Sequence, residues 1–91
     1  MEVGRIVCSK AGRDKGYFMV VVKEDEHYLY VCDGKERPLE NPKRKNVKHL
    51  SLTKTVLTEN EFKTNKSLKK ALAVYRDSAE KREEPICLKK T

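Results

Sequence analysis

Between two strand-like runs, residues 4–8 and 17–22, the chain carries Ser9-Lys10-Ala11-Gly12-Arg13-Asp14-Lys15-Gly16. Glycine accepts positive φ and lacks a Cβ, so a loop with Gly12 and Gly16 can turn tightly and admit a foreign backbone. Lys10, Arg13 and Lys15 then project from it as cations. That chemistry suits a phosphate backbone. A second basic segment spans residues 35–49, where Lys35, Arg37, Lys43, Arg44, Lys45, Lys48 and His49 are opposed only by Glu36 and Glu40. Arginine offers a planar fork for bidentate phosphate contacts, whereas lysine acts as a mobile point charge. Neutralising several phosphates releases condensed counterions, so binding through such residues weakens as salt rises. Tyr17, Tyr28 and Tyr30 have the rings to stack on unpaired bases, although strand aromatics at these spacings equally serve packing. His49, amid lysines, suits either a phosphate contact or a half-buried position.

The inventory for catalysis is missing. His27 and His49 are the only histidines, no serine or cysteine nucleophile motif accompanies them, and the glycine loop lacks the Gly-Lys-Ser/Thr of a nucleotide-binding P-loop. Glu24-Asp25-Glu26 reads as a solvated turn, and no Cys-x-x-Cys pair supplies a zinc site. The sequence therefore predicts no catalytic residue, metal, cofactor or small-molecule substrate.

Composition points the same way. The chain has 91 residues, too few to enclose a deep cleft, and its 38% charged content exceeds the usual quarter or so. The excess is basic, with a formal net charge of +7, and a polyanionic partner is the natural complement. No stretch reaches the roughly 20 apolar residues of a membrane span. The odd count of three cysteines, with no signal peptide ahead of them, predicts reduced thiols and a cytoplasmic protein.

The elements that must position these residues change period along the chain. Residues 4–8, 17–23 and 28–32 are β-branched and aromatic runs, the last two separated by an acidic turn. Asp33-Gly34 favours a tight turn into a short fourth strand at residues 35–39, with Pro38 marking an edge. Residues 41–46 read as a Pro-containing loop, exposing Lys43, Arg44 and Lys45, and residues 47–52 as a fifth strand. The core drawn from these strands is Val3, Ile6, Cys8, Phe18, Val20, Val22, Leu29, Val31, Leu39, Val47, Leu50 and Leu52. Five short antiparallel strands are most economically closed as a small SH3-like barrel, since closure removes exposed edges. Residues 53–58 form the seam to helical sequence, where Leu68, Ala71, Leu72, Tyr75 and Ala79 make one amphipathic stripe. The expected organisation is a barrel at residues 1–57 and a helical extension at residues 58–91, with a helix over 66–80 packed on the barrel and a fraying end. Thr64, Asn65 and Ser67 are its candidate caps.

The ordered blocks Gly4-Arg5-Ile6-Val7, Ser9 to Gly16, Phe18-x-Val20-Val21, Cys32-Asp33-Gly34-Lys35 and Lys43 to Leu50 resemble the bacterial KOW-domain RNA-binding proteins related to a large-subunit ribosomal protein of archaea and eukaryotes. The resemblance covers most of the first 57 residues and is loosest beyond residue 60. It implies an SH3-like KOW barrel and RNA, ribosomal RNA in the first place, as ligand, with ribosomal proteins as further partners. Both a ribosome component and an accessory factor fit it. A protein-interaction module of the transcription or translation machinery is the competing class, disfavoured by the short supply of aromatics for a peptide groove.

Overall fold

The structure is a computed structural model that describes residues 3–10, 12 and 15–78. The apolar runs form strands β1 (Arg5–Ser9), β2 (Phe18–Glu24) and β3 (Tyr28–Cys32), as their β-branched and aromatic content predicts. They are followed by β4 (Lys43–Asn46), a 3₁₀ turn (Val47–His49), β5 (Leu50–Val56), a second 3₁₀ turn (Glu59–Phe62) and helix α1 (Asn65–Ser78). The strands make one antiparallel sheet in the order β4-β3-β2-β1-β5, a four-strand meander whose fifth strand returns to pair with the first. No helix among the described residues is long and apolar enough to cross a membrane.

The fourth and fifth strands fall later than the sequence pattern places them. Residues 35–39 are not a strand. Asp33 Oδ1 accepts the backbone N–H groups of Lys35 and Arg37, both at 2.9 Å, and Asn41 N–H bonds the Pro38 carbonyl at 2.9 Å. Local side-chain acceptors and turn bonds thus take the donors that a ladder would need. The strand is instead Lys43–Asn46, a charged segment suited to a sheet edge. Residues 47–49 turn as a 3₁₀ helix because Asn46 Oδ1 accepts Lys48 N–H at 2.9 Å, so β5 begins only at Leu50 and runs through the expected seam to Val56.

The central strands bury both faces. Ile6, Cys8, Phe18, Val20, Cys32 and Leu57 form one cluster with Leu68, Leu72 and Tyr75 of α1. Val7, Met19, Val21, Leu29, Val31 and Leu50 form a second cluster on the other face. The second joins β3 to β5, which have β2 and β1 between them in the sheet, so the sheet must curl. Register shifts at Val21/Lys23 and Arg5/Val7 supply local twist. No ladder pairs β4 with β5 among the described residues, so the expected closed barrel is not formed; the 3₁₀ turn carries the chain across the gap instead. Val3, Val47 and Leu52, expected in the core, are exposed. Val7, Met19, Val21, Cys32 and Leu57 take their place, because a continuous apolar run is what a two-sided strand requires.

Helix α1 docks by the predicted stripe. Leu68, Leu72 and Tyr75 are buried, and the Tyr75 ring meets Phe18 edge-on with centroids 5.2 Å apart. Burying each leucine is worth about 1.5–3 kcal/mol, enough to hold a helix this short. Thr64 caps it, its Oγ1 accepting Ser67 N–H at 3.1 Å. Asn65 ties the helix to the preceding loop: Oδ1 accepts Leu39 N–H at 2.7 Å and Nδ2 donates to Glu40 Oε1 at 2.9 Å. Gly34 adopts φ +81°, and a Cβ there would lie 2.5 Å from the Asn65 carbonyl oxygen, so only glycine lets the turn approach the helix. Ala79 and the expected frayed end lie outside the described residues. Cys32 is a buried free thiol, whereas Cys8 takes part in a disulfide, which corrects the expectation of reduced thiols throughout.

Candidate nucleic-acid interface

The glycine loop is the link between β1 and β2. Ser9 N–H bonds the Tyr17 carbonyl at 3.0 Å, and Gly16 N–H returns to the Ser9 carbonyl at 2.8 Å, closing the hairpin. Lys15 N–H bonds the Gly12 carbonyl at 3.2 Å, and Gly12 and Gly16 sit at φ 88° and 91°, the left-handed region that glycine serves. Lys10, Gly12 and Lys15 are exposed, while Gly16 is buried. Arg13 lies outside the described residues.

The antiparallel pairing of Ser9 with Leu50 carries this loop to the 3₁₀ turn before β5. Lys10 N–H donates to the His49 carbonyl at 2.8 Å, and Lys48 and His49 are both exposed. Lys10, Lys15, Lys48 and His49 therefore gather at one end of the sheet, although the loop and the turn are more than thirty residues apart in sequence. Asp14 is the sole carboxylate in the sequence of either turn, so the basic residues there outnumber it.

The remaining basic residues divide. On β4 the side chains alternate between faces. Lys45, paired with Leu29, is buried and its Nζ donates to Ser9 Oγ at 2.9 Å; it is a bracing residue within the sheet and not an exposed cation. Lys43 is half-buried. Arg44 is exposed and its guanidinium lies 4.5 Å from the centroid of the Tyr28 ring, while Lys23 Nζ lies 5.3 Å from that of Tyr30. The rings of Tyr28 and Tyr30 are thus covered by the protein's own cations, with the exposed Arg44 lying outside Tyr28. Tyr28, Asn46 and Lys48 share a shallow hollow with His27, which joins the Arg44 region to the Lys48 turn.

Lys35 and Arg37 sit in the Asp33 turn, away from β4. Lys35 lines a groove of about 420 Å³ between that turn, the end of the glycine loop at Gly16 and Tyr17, and the Lys69 and Arg76 face of α1. Apolar periodicity alone assigns α1 to packing and passes over Lys69 and Arg76. Their signal in the sequence is the placement of Lys66, Lys69, Ala73 and Arg76 at three- and four-residue steps, one helical face separate from the apolar stripe.

Burial, reinforced by the nearby carboxylates of Asp33 and Glu40, pushes the Cys32 thiol up to about 12, so it stays protonated at neutral pH. The Asn65 side-chain hydrogen bond, with a backbone hydrogen bond, holds the Glu40 carboxyl below its ordinary value. Among the described residues no group of three histidine, cysteine or carboxylate side chains is placed to hold a metal ion.

No protein-family model matches the chain, and no curated protein matches it. Fold and surface define the class on their own terms: a mainly β protein with one curled antiparallel sheet, a docked C-terminal helix and exposed basic residues both at the glycine-loop end and along α1.

Proposed function

We propose that this is an RNA-binding protein of the KOW type that recognises structured RNA, ribosomal RNA first, by its phosphate backbone, and acts as a binding protein without catalytic activity. The observation that carries the reading is the Lys10 N–H to His49 carbonyl bond at 2.8 Å, which brings Lys48 and His49 of the second basic segment beside the glycine loop. The strand order supports an SH3-like reading: a four-strand meander, a 3₁₀ turn and a fifth strand back on β1 are the succession of elements such a small barrel uses, here in a curled sheet without a β4–β5 ladder. A ribosomal RNA ligand implies a cytoplasmic protein, working as a ribosomal or ribosome-associated factor.

The test is a titration of a labelled RNA hairpin over a salt series. Lys10→Glu combined with Lys48→Glu lowers affinity about tenfold or more and makes the salt dependence shallower by about one unit of slope for each phosphate no longer neutralised. Equal affinity and slope in variant and parent would remove this end of the molecule from the site.

A protein partner is the second reading, and one observation favours it. β5 is a sheet edge with Leu52 and Val56 exposed along it, a surface on which an added strand could pair. Binding of that kind depends weakly on salt, so the same titration with a protein partner separates the two.

A further inference from the structure

Helix α1 does more than pack. The groove of about 420 Å³ that it shares with Gly16, Tyr17 and the Asp33 turn combines three features. Tyr17 is 44% exposed at one wall. Leu72 and Ala73 give an apolar base. Lys35, Lys69 and Arg76 supply cations from two different elements. Two carboxylates line it as well: Asp33, whose Oδ1 is turned into its own loop by two backbone N–H groups, and exposed Glu36. Three cations against two carboxylates leave one positive charge, matching one phosphodiester. The volume lies in the range of pockets that take a single small planar ligand.

We propose that this groove takes one unpaired nucleotide of a bound RNA, with its base stacked on Tyr17 and its phosphate on Lys69 and Arg76. The inference rests on the RNA-binding reading above and adds to it a second, single-strand-reading subsite beside the duplex-reading end at Lys10 and Lys48. Both walls are held in place. Gly34 abuts the helix backbone at Asn65 and Lys69, and the Phe18–Tyr75 contact anchors the helix next to Tyr17, so the groove is preformed. The glycine loop lies between the two subsites: Lys10 reaches His49 on one side, and Gly16 lines the groove on the other. An RNA with a bulge or loop beside a helix spans both.

The experiment compares two labelled probes by fluorescence anisotropy, a short single-stranded oligocytidine and a blunt RNA duplex, with the folding of every variant checked by far-UV circular dichroism. The expected result is that Tyr17→Ala, and separately Lys69→Glu with Arg76→Glu, weaken oligocytidine binding about tenfold while duplex binding stays unchanged. Tyr17→Phe retains both. Lys10→Glu with Lys48→Glu shows the reverse selectivity. Adding oligocytidine to the parent protein should also shift the backbone amides of Gly16 and Ala73. Equal losses on both probes, no loss on oligocytidine, or still amides at Gly16 and Ala73 would overturn the groove assignment while leaving the duplex site standing. Displacement of oligocytidine by micromolar cytidine monophosphate would assign the groove to free nucleotides and overturn its RNA role. If the parent protein binds neither probe, the RNA-binding reading itself fails and the groove proposal falls with it.

Discussion

Lys45 Nζ donates a hydrogen bond to Ser9 Oγ at 2.9 Å, bracing β4 against the end of β1 across two intervening strands. The lysine is buried, with its aliphatic stem on the face that carries Leu29 and Leu50. A buried, bonded ammonium is costly to disturb, because its removal strands the groups around it. Lys45→Ala should destabilise the protein by about 1–3 kcal/mol, whereas Lys48→Ala, at an exposed position three residues on, should stay within about 0.5 kcal/mol of the parent. Urea unfolding followed by circular dichroism measures both. Equal stabilities would mean that the bond braces nothing.

Gly34→Val is expected to loosen the helix. Its Cβ would meet the Asn65 carbonyl oxygen at 2.5 Å, and φ +81° is strained for a β-branched residue. A loss of at least about 1–2 kcal/mol follows, with faster amide hydrogen exchange through α1 than in the parent. Unchanged exchange in α1 would show that the turn does not support the helix.

Leu68→Ala removes a side chain with no exposed surface at the centre of the helix–sheet cluster. The cavity and the forfeited transfer energy should cost about 2–5 kcal/mol, against less than about 0.5 kcal/mol for exposed Lys70→Ala. Thermal unfolding compares the two, and a small Leu68→Ala effect would mean that α1 contributes little to the common core.

The Cys32 thiol makes stability fall with alkalinity. In the folded protein it titrates near 12 instead of 9.0, so below pH 9 both states hold the proton and nothing changes. Above pH 9 the unfolded chain gives up its proton first and is favoured, so stability is lost progressively from pH 9 toward 12. Urea midpoints measured through that window should decline more steeply for the parent than for Cys32→Ala. Identical slopes would show that the thiol ionises as freely folded as unfolded.

Much of this architecture is legible in the residues alone, because local chemistry decides it. The runs at β1, β2 and β3 are apolar and β-branched over their own length, and the Leu68-Leu72-Tyr75 stripe has a helical period whatever surrounds it. The glycine loop likewise announces a tight cationic turn, and Gly12 and Gly16 do take positive φ. What the residues could not declare is decided by partners distant in the chain. Lys43-Arg44-Lys45 has the composition of a loop, and it becomes a strand because Tyr28 to Val31 offers a free edge and Ser9 receives Lys45. Lys35 to Leu39 has the spacing of a strand, and the Asp33 carboxylate and the helix's Asn65 take its donors instead. The same dependence on distant contacts separates Lys45, which sequence places among the exposed cations, from Lys69 and Arg76, which sequence places on a packing helix. Charge is written in the chain, but whether a charge meets solvent, a hydroxyl or a groove depends on how the sheet curls and where the helix docks.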